Sequence, residues 1–298
     1  MLASAALRGW LESGNTVAAF WTSANPATRL RLGDVISPRW SARLLLQRHA
    51  IPAVTVPRLR DWADAETAIA ALGVDTLITC MTMMIVPPRL LDLFGNRAVN
   101  FHPSLLPAYR GPTPLLGALL DGKENTCSGV TAHVLSPGID EGPIIAQRSL
   151  PYDAAARSYT MWVAQHAAAC RRLAREALPA YLVGATEARP QVGGFYRKVA
   201  EDGEIGPHLT VAEVERTLAA GGTSYHIGVP LPWRIRPASV RRVRRVLGPA
   251  TGKPPSLQAF SVTLDVADAR VVLVRNTALQ RTRDRLVLVE ALRRLDQE

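Results

Sequence analysis

An asparagine, a histidine and an aspartate carry the clearest chemical signal in this sequence. Asn100 and His102 sit in Asn100-Phe101-His102-Pro103-Ser104-Leu105-Leu106-Pro107, and Asp140 in Ser136-Pro137-Gly138-Ile139-Asp140-Glu141-Gly142. Where two such segments meet at strand ends, an amide, an imidazole and a carboxylate come within reach of one another. An amide N–H steadies an oxygen that gains negative charge, and an imidazole carries a proton. A carboxylate orients the imidazole and favours its charged form. That set of groups suits acyl transfer through a charged tetrahedral intermediate. Each residue also has an ordinary use. Asn before a turn caps backbone groups, His beside Pro packs at a strand end, and Asp between glycines is a turn residue. The combination at this spacing is what favours chemistry.

The elements that must position these residues alternate over the first two-thirds of the chain. Helical patterns cover residues 2–13, 40–49, 64–72 and 87–94, the last with proline at its start. A further helix follows the 103–112 loop and ends near Leu120, and a long one covers 159–183. Strand-like runs fall at 16–21, 53–56, 76–81, 98–101, 129–135 and 143–147, and residues 24–38 read as a loop carrying Arg29 and Arg31. This order predicts an α/β fold with a doubly wound, mostly parallel sheet. The pattern changes near 184–194. A helix at 211–219 and strand-like runs at 239–246, 259–264, 271–275 and 286–289 predict a smaller, barrel-like, β-rich C-terminal domain. The expected division is 1–185 for a catalytic domain, 186–230 for a linker and helical segment, and 231–298 for the β-rich domain.

Composition narrows the class. With 298 residues, 48% hydrophobic and 20% charged, the chain can bury a substantial core. No apolar run approaches the roughly 18 to 20 residues that span a bilayer, and residues 74–86 are interrupted by Asp75, Thr76, Thr79 and Thr82. The N-terminus lacks the basic and apolar stretches of a secretory signal, so a cytoplasmic protein without a membrane partner is expected. Cys80, Cys127 and Cys170 have no metal-ligand or disulfide spacing, and they read as reduced structural cysteines, with no metal. Net charge is +10, and residues 231–298 carry 14 Arg and Lys against 6 Asp and Glu. The densest point, Arg241-Arg242-Val243-Arg244-Arg245, suits phosphates or RNA, or else is a solvated strand face.

Residues 98–147 closely resemble the signature of the folate-dependent formyltransferases. Besides Asn100, His102 and Asp140, the matching positions are Ser104-Leu105-Leu106-Pro107, Arg110-Gly111, Gly129-Val130-Thr131 and Ile139-Asp140-Glu141-Gly142-Pro143-Ile144. The resemblance implies catalysis by Asn100, His102 and Asp140, with 10-formyltetrahydrofolate as co-substrate. It places the folate against Met81, Met83, Met84, Ile85, Val86, Leu135, Ser136, Gly138 and Ile139, and the acceptor against Ser104, Arg110 and Gly111. The methionine side chains serve equally well as core filler, and His133 and Cys80 read as packed strand residues. Against that family, about a dozen residues of a central first strand and its turn are missing before the first helix. Two strand edges would then be exposed inside the core, from a mis-assigned start codon or a damaged fold. Mass spectrometry of the native N-terminus distinguishes these cases.

The acceptor is the least legible part. An amine on a small molecule, such as a nucleotide-linked amino sugar or hydroxylated ornithine, is the first expectation. Methionyl initiator tRNA is the second, through the basic C-terminal region, the Arg29/Arg31 loop and the Arg110-Gly111-Pro112-Thr113-Pro114 turn. Against tRNA, Glu204-Ile205-Gly206-Pro207-His208 and Gly221-Gly222-Thr223-Ser224-Tyr225 replace the Trp- and Pro-bearing segments of the tRNA branch, and residues 276–283 replace a glycine turn. A non-catalytic folate- or RNA-binding relative is the third.

Overall fold

The computed structural model describes residues 1–22, 40–82, 84–150, 159–197, 205–221, 226–231 and 234–275, together with Leu286, Val287, Glu290, Arg293 and Arg294. The expectations for the Arg29/Arg31 loop, for Met83 and for residues 276–283 lie outside them. The helices are α1 (Leu2–Glu12), α2 (Ala42–Arg48), α3 (Ala65–Leu72), α4 (Pro88–Leu91), α5 (Pro114–Leu120), α6 (Glu124–Cys127), α7 (Tyr159–Arg172), α8 (Leu178–Leu182) and α9 (Val211–Gly221). The long helix expected over 159–183 carries one π-helical turn, Leu173–Ala177, between α7 and α8. Just before that turn, Gly9 brings the backbone of α1 against the Arg171 carbonyl, where a Cβ would collide.

The N-terminal half is a mixed sheet covered by helices. β1 (Phe20–Thr22) pairs in parallel with β2 (Ala53–Thr55). The strand expected at 16–21 is thus shorter and displaced toward its C-terminal end. β3 (Leu77–Cys80), β4 (Ala98–His102), β5 (Gly129–Val134) and β6 (Ile144–Ser149) form a four-stranded sheet in that order. β3 and β4 run parallel, and the β4–β5 and β5–β6 pairs are antiparallel.

Pleating sorts the side chains of β4. Val99 and Phe101, with Val130 and Ala132 of β5, join Ala5, Ala6 and Trp10 of α1 and Ala164, Ala167 and Cys170 of α7 in one buried cluster. The small alanine side chains let both helices lie close to the sheet. Asn100 and His102 consequently point to the opposite face.

Between the edge of β1 and the edge of β3 lies a cavity of about 560 Å³. Its walls include Ala6, Trp10, Phe20, Ile69, Leu77, Thr79 and Cys80. Among the described residues no strand occupies it, and the two sheets remain separate.

The C-terminal sheet is antiparallel throughout, in the order β7 (His226–Leu231), β8 (Arg234–Gly248), β11 (Arg270–Arg275), β10 (Ser261–Asp265) and β9 (Ser256–Leu257). Leu286 and Val287, expected in a strand, are helical instead. Opposite β11, the register of β8 shifts three times. Val240, Val243 and Val246 face Arg275, Leu273 and Val271, so three residues of β8 match two of β11. Each shift adds one residue, namely Arg241, Arg244 or Leu247, a succession of bulges that coils the strand. Val240 and Val243 pack with Val262, Leu264, Val271 and Leu273 and with Val214 and Leu218 of α9.

Unpaired edges open more readily than paired interiors. In native-state hydrogen exchange, the slot-facing amides of Phe20–Thr22 and Leu77–Cys80 should exchange on the order of 100-fold faster than those of Gly129–Val134. Equal protection would contradict an open slot.

Candidate active site

Thr79, Asn100 and His133 stand in one cross-strand row. Asn100 on β4 is in register with Thr79 on β3 and with His133 on β5, so all three side chains share a face of the sheet. The Thr79 hydroxyl donates to Asn100 Oδ1 at 2.8 Å. This fixes the amide's orientation and turns Nδ2 toward His133 Nε2 (3.1 Å) and Asp140 Oδ1 (3.3 Å). His133 Nδ1 lies 2.9 Å from the Val134 carbonyl, which only accepts, so the hydrogen of the neutral ring is on Nδ1 and Nε2 accepts from Asn100.

One row further along β4, His102 is almost fully buried, and its Nε2 donates to the Tyr109 carbonyl at 2.8 Å. Tyr109 adopts a left-handed backbone conformation (φ +57°) that aims this carbonyl at the ring. Nδ1 then faces Asp140 Oδ2 at 3.5 Å, beyond ordinary hydrogen-bond length. Burial lowers the His102 pKa more than Asp140 and the Tyr109 carbonyl raise it, and His133 lowers it further. The ring is neutral at neutral pH, with Nδ1 open to a proton. Asp140 favours the charged form, as expected, but burial outweighs it.

Asp140 reaches the row from the β5–β6 loop. Its backbone is also left-handed (φ +54°), a strain of roughly 1 to 3 kcal/mol that surrounding contacts must hold in place. Oδ2 accepts from the Gly111 N–H at 2.9 Å, and Oδ1 lies 3.5 Å from His133 Nε2. Burial alone would raise the Asp140 pKa, but His133, His102 and the Gly111 N–H together bring it down to about 2. Gly111 itself has φ +105°, and a Cβ there would press into the Tyr196 ring at 2.6 Å.

The remaining residues expected at the site divide by exposure. Ser104 is buried and donates to the Ala108 carbonyl, and Thr131 and Gln147 pin the same loop through Ser104 O, Leu106 N and Leu106 O. Ser104 thus helps to shape the loop. Arg110 is also engaged internally, by Gln191 Oε1, the Gly193 carbonyl and Glu141. Met81 (57%), Ile85 (68%) and Ile139 (45%) are exposed apolar groups on the loops after β3 and before Asp140. Val86 is buried in a core cluster against which Met84 and Leu135 pack, and Ser136 donates to the Gly138 carbonyl. Gly138 lies against the Glu141 carboxylate.

Reading the sequence misses Thr79, His133 and Gln191. The available signal for the first two is strand register: once β3, β4 and β5 are aligned, both fall opposite Asn100. No group of three or more His, Cys, Asp and Glu among the described residues has the geometry to hold a metal.

The formyl transferase family model matches residues 41–176. The methionyl-tRNA formyltransferase of Listeria monocytogenes serotype 4a is 30% identical over 238 residues, spanning 78% of this chain and 73% of that protein. The glycinamide ribonucleotide transformylase 1 of Symbiobacterium toebii is 25% identical with a TM-score of 0.50, over 63% of this chain and 90% of that one. The sugar 3N-formyl transferase WlaRD, at 16% identity, shares the fold over 93% of this chain and 94% of that one, with a TM-score of 0.58. This chain belongs to the folate-dependent formyltransferase family.

Two outcomes follow for formyl transfer. Asn100→Ala should lower kcat roughly 100-fold or more with little change in donor KM. Because Asp140 raises the His102 pKa, Asp140→Asn should move the acid limb of the kcat–pH profile to still lower pH. A limb displaced to higher pH would contradict the assignment of His102 as the proton acceptor.

Proposed function

We propose that this protein transfers a formyl group from 10-formyltetrahydrofolate to the amino group of methionyl-tRNA. The reaction rests on the convergence of Asn100, His102, His133 and Asp140 in one buried polar cluster. When bound, the folate supplies the activated formyl group. Met81, Ile85 and Ile139 offer the exposed apolar surface that a flat pteridine ring needs beside such a cluster.

The roles follow from the geometry. Both Nδ2 hydrogens of Asn100 already have partners, and the longer bond, to Asp140 at 3.3 Å, is the one that yields when an oxygen acquires charge nearby. His133 and Thr79 keep the amide oriented during that exchange. Neutral His102 accepts at Nδ1 the proton that the attacking amine loses, while Nε2 stays on the Tyr109 carbonyl. The imidazolium so formed lies 3.5 Å from the Asp140 carboxylate, so charge separation is offset where it arises.

For the acceptor, support comes from the relatives named methionyl-tRNA formyltransferase and from β8. Arg242, Arg244 and Arg245 are exposed and have no ion pair among the described residues. Arg241 Nη1 is buried without a hydrogen-bond partner among them. A row of free guanidiniums is suited to a phosphodiester chain. A small-molecule amine is the second reading, and the likeness to glycinamide ribonucleotide transformylase favours it.

The test is release of free folate from 10-formyl folate, with methionyl initiator tRNA or with amino-sugar nucleotides, hydroxyornithine and glycinamide ribonucleotide. Turnover should require the tRNA. Replacing Arg242, Arg244 and Arg245 together by Gln should weaken tRNA binding and reduce its log–log salt slope by about 3, roughly one per lost phosphate contact. Turnover with small amines alone, unaffected by this triple change, would establish the second reading. No turnover with any acceptor would reject both.

A further inference from the structure

Residues 189–197 cross the back of the site and bind both of its loops. Arg189 forms a bridge with Ile144 at the start of β6, and Tyr196 forms one with Arg110. Phe195 stacks edge-on against Tyr109, with ring centroids 4.8 Å apart. Arg197 pairs with Asp121, which also accepts from the Tyr109 hydroxyl. In the middle of this segment, Gln191 makes the contacts that bear on the catalytic carboxylate.

The Gln191 amide nitrogen donates to the Asp140 carbonyl at 2.9 Å and to the Gly142 carbonyl at 2.7 Å. One NH2 group therefore holds both ends of the three-residue turn that presents Asp140. Its oxygen accepts from Arg110 Nη2 at 3.0 Å and Nε at 3.3 Å. Arg110 adjoins Gly111, whose N–H fixes Asp140 Oδ2 from the other side. A single side chain thus joins the backbone of the Asp140 turn to the loop that grips the Asp140 carboxylate.

We infer that Gln191 is a positioning residue, setting Asp140 against His102 and His133 by locking its left-handed turn to the Arg110-Gly111 loop. The inference rests on the formyl-transfer reading of the site. Without Gln191 the Asp140 backbone is free to relax to negative φ, which withdraws the carboxylate from the Gly111 N–H and from both imidazoles. The role needs an amide: two donors on one atom for two carbonyls, and an acceptor for a guanidinium.

Gln191→Glu separates these functions, because a carboxylate keeps the shape and the Arg110 contact but cannot donate to the two carbonyls. Gln191→Met removes both arms and covers the case in which the charged variant folds poorly. Both variants should lower kcat roughly 10- to 100-fold, as expected for a displaced catalytic group, with donor KM within about twofold of the parent. Independently of activity, the Gly111 amide should exchange at least about tenfold faster in either variant, with the Val130 amide in the core unchanged. Unaltered kcat with unaltered Gly111 exchange would overturn the inference. So would a parallel rise at Gly111 and Val130, the mark of general loosening. Should the parent show no turnover with any acceptor, the functional reading fails, and the exchange measurement alone decides the role of Gln191.

Discussion

The largely buried carboxylate of Asp140 is the constraint around which the N-terminal half is arranged. A charge taken out of water must be met by donors fixed in place. Here the direct donors are the Asn100 amide on β4 and the Gly111 N–H, while the rings of His133 on β5 and His102 further along β4 each lie 3.5 Å from one of its oxygens. Each has its own support. Thr79 orients Asn100, Val134 sets the His133 tautomer, Tyr109 sets that of His102, and the tight contact at Tyr196 restricts position 111 to glycine. Burial and pairing then act in opposite directions on the two acid–base groups. Asp140 remains ionised at neutral pH while His102 remains uncharged, the combination that the proposed role of His102 as base requires.

Much of this was legible in the sequence, and the rest was hidden for definable reasons. Local motifs identify Asn100, His102 and Asp140, because turn chemistry and strand-end spacing are written in consecutive residues. His133 reads as a packed strand residue until β5 is aligned antiparallel to β4, and register is a non-local property. The surroundings of Arg110 and Ser104 are hidden for a related reason: the carbonyls and side chains that engage them come from the loop around Ala108 and from residues 189–197. The helices at 2–13 and 211–219 follow from apolar periodicity. The π-helical turn at Leu173–Ala177 does not, since the close approach of Gly9 to Arg171 is a tertiary contact.

Among the described residues the β1–β2 pair and the four-stranded sheet are separate. α1 packs on α7 and the π-helical turn through small residues, and this keeps the helix in place although β1 and β3 do not meet beneath it. The polar row lies on the β3–β4–β5 side, where hydrogen bonding is continuous. Formyl-transfer geometry therefore depends on the four-stranded sheet and on residues 189–197, and only indirectly on β1 and β2.

The bulged strand β8 has one more implication. With valines at every third position (Val240 buried, Val243 half-buried, Val246 exposed) and a pair of arginines between them, it pairs in triplets where an ordinary strand is read in pairs. Losing or gaining one residue between Val240 and Val243 would take one of these two valines out of the cluster they share with α9. Removing a whole Val-Arg-Arg unit would keep the phase. Because each such unit carries two arginines, a change of length that keeps the phase also changes the charge of this strand by two.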